Sequence, residues 1–165
     1  MDWNLIVESL PKLLAGAGQT LEITLVSVIF GLMLAIPLAL ARLSKNPLLS
    51  WPAYGFVFYF RGTPLLVQLF LIYYGSGQFR DALESAGLWT YFRNAWFCAA
   101  LTLTLNTAAY SAEIFRGAIQ AVPRGEIEAG KAFGMSGWLL FRRIIMPKAF
   151  RIALPAYGNE VVFLL

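Results

Sequence analysis

Ile23 to Ala41 reads ITLVSVIFGLMLAIPLALA, nineteen residues without a charged side chain. As a helix rising 1.5 Å per residue, it covers the roughly 30 Å of hydrocarbon in a bilayer. Few other environments accept it, because a helix that is apolar all round must be buried all round. Ala39-Leu40-Ala41 mimics a signal-peptide cleavage site. However, the run is longer than a signal peptide's apolar region, and the segment before it is acidic, with Asp2 and Glu8 against Lys12. A membrane span is therefore preferred over a leader.

The rest of the chain agrees. Charged residues make up 13% of it, against about 25% in soluble domains. Ala95 to Ala112 is a second uncharged run, of eighteen residues. Trp51 to Tyr74 is apolar but interrupted by Arg61-Gly62-Thr63-Pro64. Proline lacks the amide donor and pushes its predecessor out of helical geometry, so one element kinked or broken near Pro64 is predicted. A fourth run starts near Ala153 and is still apolar at Leu165, too short to cross, as if the sequence were truncated inside a span. The expectation is an all-α, polytopic membrane protein forming one domain over 1–165. Its spans lie near 21–41, 51–74, 95–115 and 153–165, and a long loop covers 116–152.

Lysine and arginine set the orientation. Residues 1–20 and 75–94 hold three of them. The segments 42–50 and 116–152 hold nine: Arg42, Lys45, Arg116, Arg124, Lys131, Arg142, Arg143, Lys148 and Arg151. The N-terminus is expected outside and the long loop in the cytoplasm. The same one-sided distribution argues against a nucleic-acid partner. Without histidine, and with Cys98 the lone cysteine, no metal site, disulfide framework or catalytic residue is expected.

The loop has its own punctuation. Pro123-Arg124-Gly125 reads as a turn, and Glu126 to Ala132 as a helix with acids in its first turn. Gly134 suits a left-handed position after that helix. Ser136 is placed to cap a second helix, Gly137 to Ile145, which Pro147 should end. Physically, such a hairpin either lies on anionic headgroups or docks in a partner's groove.

Glu128-Ala129, Gly134, Ile144 and Pro147 stand at the spacing of the Glu-Ala-Ala loop in permease subunits of bacterial binding-protein-dependent ABC importers, which the chain resembles. Gly130 and Met146 depart from the pattern, in place of alanine and leucine. RGTPLLVQLFLIYYG (61–75), LTLNTAAYSAEIFRGAI (103–119) and ALPAYGNEVV (153–162) resemble the polar amino acid branch, most like permeases for histidine, lysine, arginine, ornithine and opines. The resemblance implies a five-span core, of which about three and a half spans are present. It also implies an inner-membrane location and a coupling loop (Glu128, Ala129, Gly134, Ile144, Pro147) seated on an ATPase. The implied partners are two such ATPases, which bind ATP and magnesium, a second permease and a periplasmic amino-acid-binding protein. No phosphate-binding Gly-Lys-Ser/Thr loop occurs in this chain, so a partner must hydrolyse ATP.

Ionisable groups within apolar runs are functional candidates, here Glu22, Arg61, Glu113 and Glu160. Glu22 sits at the outer edge of the first span, and Arg61 is placed to satisfy carbonyls freed by the break. Asn106, Tyr110 and Glu113 fall at i, i+4 and i+7, one polar stripe on a span, whereas Thr102 and Thr104 are expected to bond back to their own helix. Glu113 and Glu160 lie on consecutive spans at similar depth and are expected to face one cavity, although Arg116 offers Glu113 a local partner. Together with Asn106 and Tyr110 they form the expected path for a cationic amino acid. Glutamine, glutamate or another polar amino acid is the alternative substrate. A membrane enzyme lacks a nucleophile-base pair, and an ion-driven transporter lacks the internal repeats.

Overall fold

The computed structural model describes residues 3–164, with side chains from Ser9 onward. Asp2 and Leu165, and the side chain of Glu8, lie outside the described residues. Helix α1 (Trp3–Leu43) runs 41 residues, about 62 Å, twice a bilayer core. The expected span 21–41 is its second half, and the segment before it, read as a flank, continues as helix without a break. Its stretch Ser9–Leu43 is the one single helix among the described residues long and apolar enough to cross a membrane.

Helix α2 (Pro47–Gly62) begins where Asn46 Oδ1 accepts the Leu48 amide at 3.0 Å, with Pro47 in the first turn. It ends at the predicted break. Thr63 and Pro64 are extended, and α3 (Leu65–Gly75) leaves at 106° to α2. Taken together, Pro47–Gly62 and Leu65–Ser85 are long and apolar enough to cross a membrane. A 3-10 turn (Ser76–Phe79) and the short helices α4 (Arg80–Ser85) and α5 (Trp89–Phe92) follow. Asn94 Oδ1 then caps α6 (Ala95–Gln120) through the Trp96 amide.

Helix α6 is the centre of the packing, flanked by α1, α2, α3 and the last helix. Ser27, Gly31, Ala35 and Ala39 of α1 recur every four residues and are all buried. Side chains this small bring two backbones close, the usual way helices associate in lipid. A Cβ on Gly31 would sit 2.8 Å from Thr107 Cγ2 and 3.3 Å from the Thr104 carbonyl. Ser27 Oγ donates to the Ala100 carbonyl at 3.4 Å. Thr102 bonds back to the Cys98 carbonyl at 2.6 Å as expected, whereas Thr104 has no such bond. Buried Thr102, Thr104, Asn106, Thr107 and Ser111 make α6, though 26 residues long, less apolar than α1. Those residues face protein.

Helix α7 (Arg124–Ala132), α8 (Gly137–Leu140), a π-helical turn (Phe141–Ile145) and α9 (Met146–Leu164) complete the chain. Two expectations are corrected here. Pro147 does not end the second loop helix, which runs through the π turn into α9 without interruption. The π turn shifts the hydrogen-bond pattern to i→i+5 just ahead of Pro147, and a proline in the first turn of α9 adds no further missing bond. Ser136 has the extended backbone of a cap, but its hydroxyl makes no capping bond, and Gly137 follows at φ +50°.

Candidate translocation site and coupling loop

The loop is held by three devices. After α7, Gly134 takes φ +79°, and its amide donates to the Lys131 carbonyl at 2.9 Å. The Met135 amide donates to the Gly130 carbonyl at 3.0 Å, completing a Schellman turn that only a glycine enters without strain. Gly130 lies beneath Leu140, whose Cδ1 would be 2.6 Å from an added Cβ, so the departure from alanine lets α7 pack close on α8. Lys148 Nζ reaches Glu126 Oε1 at 2.7 Å and ties α9 back to α7. Glu128, Ala129, Gly134 and Pro147 are exposed, and Ile144 is half-buried. Ile144 and Pro147 share a cavity of about 270 Å³ with Glu126, Arg143, Lys148 and Arg151. Phe133 and Trp138, 84% and 70% exposed, flank the Gly134 turn and give the loop an apolar tip.

Deeper in the fold, the expected stripe divides. Asn106, Tyr110 and Glu160 line one cavity of about 350 Å³, together with Thr63, Pro64, Leu65, Phe163 and Leu164. Glu160 forms no ion pair within 4.0 Å and no side-chain hydrogen bond among the described residues, although Arg61 is near enough to act on it electrostatically. Glu113 instead turns to a neighbouring cavity, and only Tyr110 borders both. Arg116 Nη2 meets Glu113 Oε2 at 2.8 Å, Arg42 Nε meets Oε1 at 3.1 Å, and Arg61 Nη1 lies 4.0 Å from Oε2. The local partner Arg116 was legible from spacing. Arg42 and Arg61 arrive from α1 and α2, at a sequence separation no periodicity reveals. Glu113 and Glu160 thus do not form an unpaired couple facing a single cavity.

The residue missed by sequence reading is Gln68. It is 2% exposed. Its Nε2 donates to the Phe60 carbonyl (2.8 Å), the Thr63 carbonyl (3.0 Å) and Thr63 Oγ1 (2.8 Å), and its Oε1 accepts from Asn106 Nδ2 at 3.1 Å. Gln68, not Arg61, satisfies the carbonyls freed at the break, and it anchors the break to α6. A glutamine inside the apolar run LLVQLFLIYY was the available signal, since an amide there needs partners. Arg61 stacks on Tyr110 instead, 5.2 Å from its ring centre. Glu22 is exposed, as an interfacial position requires.

The family described as "Binding-protein-dependent transport system inner membrane component" matches residues 27–165. Over 165 residues the chain is 58% identical to the nopaline transport system permease protein NocM of Agrobacterium fabrum, covering 100% of this chain and 68% of that protein. It is 51% identical to the octopine transport system permease protein OccM of Rhizobium meliloti, covering 95% of this chain and 64% of that protein. The histidine/lysine/arginine/ornithine transport system permease protein HisM of Escherichia coli (strain K12) is 47% identical, covering 91% of this chain and 63% of that protein. The chain therefore spans about two thirds of the length of these relatives. The crystal structure of an amino acid ABC transporter with histidines superposes with a TM-score of 0.83 at 34% identity, covering 99% of this chain and 72% of that one. The inward-facing MetNI methionine ABC transporter shares the fold, with a TM-score of 0.74 at 22% identity over 99% of this chain and 73% of that one. The chain belongs to the family of binding-protein-dependent transport system inner membrane components: it is an all-α permease subunit of an ABC importer and is not itself the ATPase.

Proposed function

We propose that this permease carries a cationic amino acid or an opine across the bacterial inner membrane, with Glu160 as the counter-charge. The observation that carries the reading is one continuous helix. From Gly137 in the loop to Glu160 in the cavity the chain stays helical, a rod of roughly 35 Å measured along its path, with a π turn, Pro147 and Pro155 within it. Motion of a partner ATPase against the loop is transmitted along it to the cavity wall. Phe115 of α6 braces the rod on Phe150, with ring centres 5.2 Å apart.

Glu160 supplies the chemistry. A carboxylate without an ion pair in an apolar wall is costly, and a guanidinium or ammonium relieves that cost. Asn106 and Tyr110 border the same space and add polar contacts. The loop residues Glu128, Ala129, Gly134, Ile144 and Pro147 form the ATPase-docking unit, with the apolar tip at Phe133 and Trp138 entering a cleft. The assembly contains two ATPases, a second permease, identical or sister, and a periplasmic binding protein. The chain crosses the membrane more than once, through α1, the bent α2–α3 pair, α6 and α9. Its N-terminus faces outside and its loop the cytoplasm, from the nine-to-three basic bias. This reading makes the four runs parts of the family's five-span core.

The test is Glu160→Gln, which keeps shape and removes charge. In the reconstituted complex, uptake of radiolabelled arginine, lysine or histidine should fall at least about tenfold, as expected for losing a charge-assisted contact, while the ATPase partner still co-purifies. Unchanged arginine uptake in the variant, or a wild type that transports neutral or acidic amino acids alone, would sink the proposal.

A further inference from the structure

The cluster around Glu113 has more positive charge than that carboxylate neutralises. Three guanidiniums approach one carboxylate, no other anion among the described residues lies within 4.0 Å of them, and Glu160 acts on Arg61 from farther away. Arg116 is satisfied by Glu113 and by Gln120 Oε1 at 2.9 Å. Arg42 donates through Nε alone, and Arg61 makes no hydrogen bond among the described residues. Both line a cavity of about 330 Å³. Each head lies over an aromatic ring, Arg42 over Tyr54 at 4.7 Å and Arg61 over Tyr110 at 5.2 Å from the ring centre. The unused donors of two oriented guanidinium forks form a recognition surface for a tetrahedral or planar anion. A cationic substrate would be repelled from it.

The surroundings specify what the anion is attached to. Trp51, Tyr54 and Phe58 fall at i, i+3 and i+7 on α2 and are 78%, 52% and 68% exposed. They make an apolar stripe that starts beside Arg42 and runs along the helix. Arg42 lies in the last turn of α1, where the apolar run gives way to a polar loop. That is headgroup depth for a span ending at Leu43, and aromatic residues favour that boundary. A second cavity of about 360 Å³ also borders Arg42 and Tyr54, with Ser44, Ser50 and Trp51 in its wall. A free inorganic anion would have no use for the stripe. A lipid uses both parts.

We propose that the groove between the end of α1 and α2 binds one anionic phospholipid of the inner leaflet. Its phosphate bridges Arg42 and Arg61, and an acyl chain lies along Trp51 and Phe58. Bound there, the lipid compensates the excess charge and joins α1 to the end of α2 that precedes the 106° break. The inference rests on the membrane placement given under Proposed function.

The experiment uses the full complex with its partner subunits, in nanodiscs of phosphatidylcholine with graded phosphatidylglycerol, and native mass spectrometry of the lipids retained. The wild type should keep one phosphatidylglycerol per permease chain in preference to phosphatidylcholine. Millimolar inorganic phosphate should not displace it. Arg61→Gln leaves Glu113 its two closer partners and should weaken retention about fivefold, the scale of one basic residue at a membrane surface. Should that variant fail to assemble, Arg61→Lys, which keeps charge but loses the fork, should show a smaller loss. Equal retention of the two lipids, retention unchanged in the Arg61 variants, or release by inorganic phosphate would each overturn the proposal. So would disulfide cross-linking of two Phe58→Cys chains on a Cys98→Ala background with no lipid held, which would make the face a contact between permeases. Retention is read without transport. A complex that holds the lipid but carries no cationic amino acid would count against the transport reading alone.

Discussion

Gln68 is the most informative residue to perturb, because its buried amide ties both sides of the helix break to α6. Gln68→Ala removes four hydrogen-bond contacts, three that share its two N–H hydrogens among Phe60 and Thr63 and one accepted from Asn106. A buried carbonyl left without a donor costs about 1–3 kcal/mol in water-soluble proteins. Hydrogen bonds between membrane helices average nearer 0.6 kcal/mol, because the alternative state also finds partners. The membrane figure governs here, and the four together amount to about 2–3 kcal/mol. Asn106 Nδ2 already lies 3.4 Å from the Phe60 carbonyl and recovers part of the loss. For a chain of this size, the thermal midpoint should fall by roughly 4–12 °C. Gln68→Glu should be worse than Gln68→Ala, since a carboxylate cannot donate to the two carbonyls and is repelled by them. The assay is thermal unfolding of the purified complex in detergent, with Asn106→Ala and the double variant completing a cycle. A Gln68→Ala midpoint within about 1 °C of wild type would refute the reasoning, as would Gln68→Glu tolerated better than alanine.

Gly31→Val should destabilise the α1–α6 contact by about 1–3 kcal/mol, because the Thr104 carbonyl beside it is backbone and cannot retreat; the same melting assay reads it, and an unchanged midpoint would contradict the close approach. Gly134→Asp meets no atom within 4 Å, so its cost is the left-handed backbone, about 1 kcal/mol. The variant should reach the membrane and assemble but lose substrate-stimulated ATPase activity; full stimulation would show that the turn does not matter for coupling. With Cys98→Ala as background, an impermeant thiol reagent applied outside should label cysteine at position 12 and spare positions 131 and 142. Labelling of position 131 from outside would reverse the proposed orientation.

Much of this molecule can be read along one dimension. The uncharged run 23–41, the Pro64 break, the Asn-capped start of α6 and the left-handed Gly134 all follow from local rules. Each depends on a residue and its near neighbours, so the sequence states it directly. The spacing of Glu128, Ala129, Gly134, Ile144 and Pro147 identified the family for the same reason. Tertiary structure decided the rest. Pro147 reads as a stop, yet a π turn in the preceding residues lies ahead of it and the helix continues. Glu113 reads as half of a carboxylate couple, yet Arg42, 71 positions away, reaches it at 3.1 Å. Gln68 reads as a stray polar residue, yet it meets Asn106 across 38 positions. Helical periodicity says which residues share a face, but not which face a neighbouring helix will meet. Charge pairing and polar satisfaction between helices are settled by that meeting, so Glu160, and not Glu113, is left as the carboxylate without an ion pair.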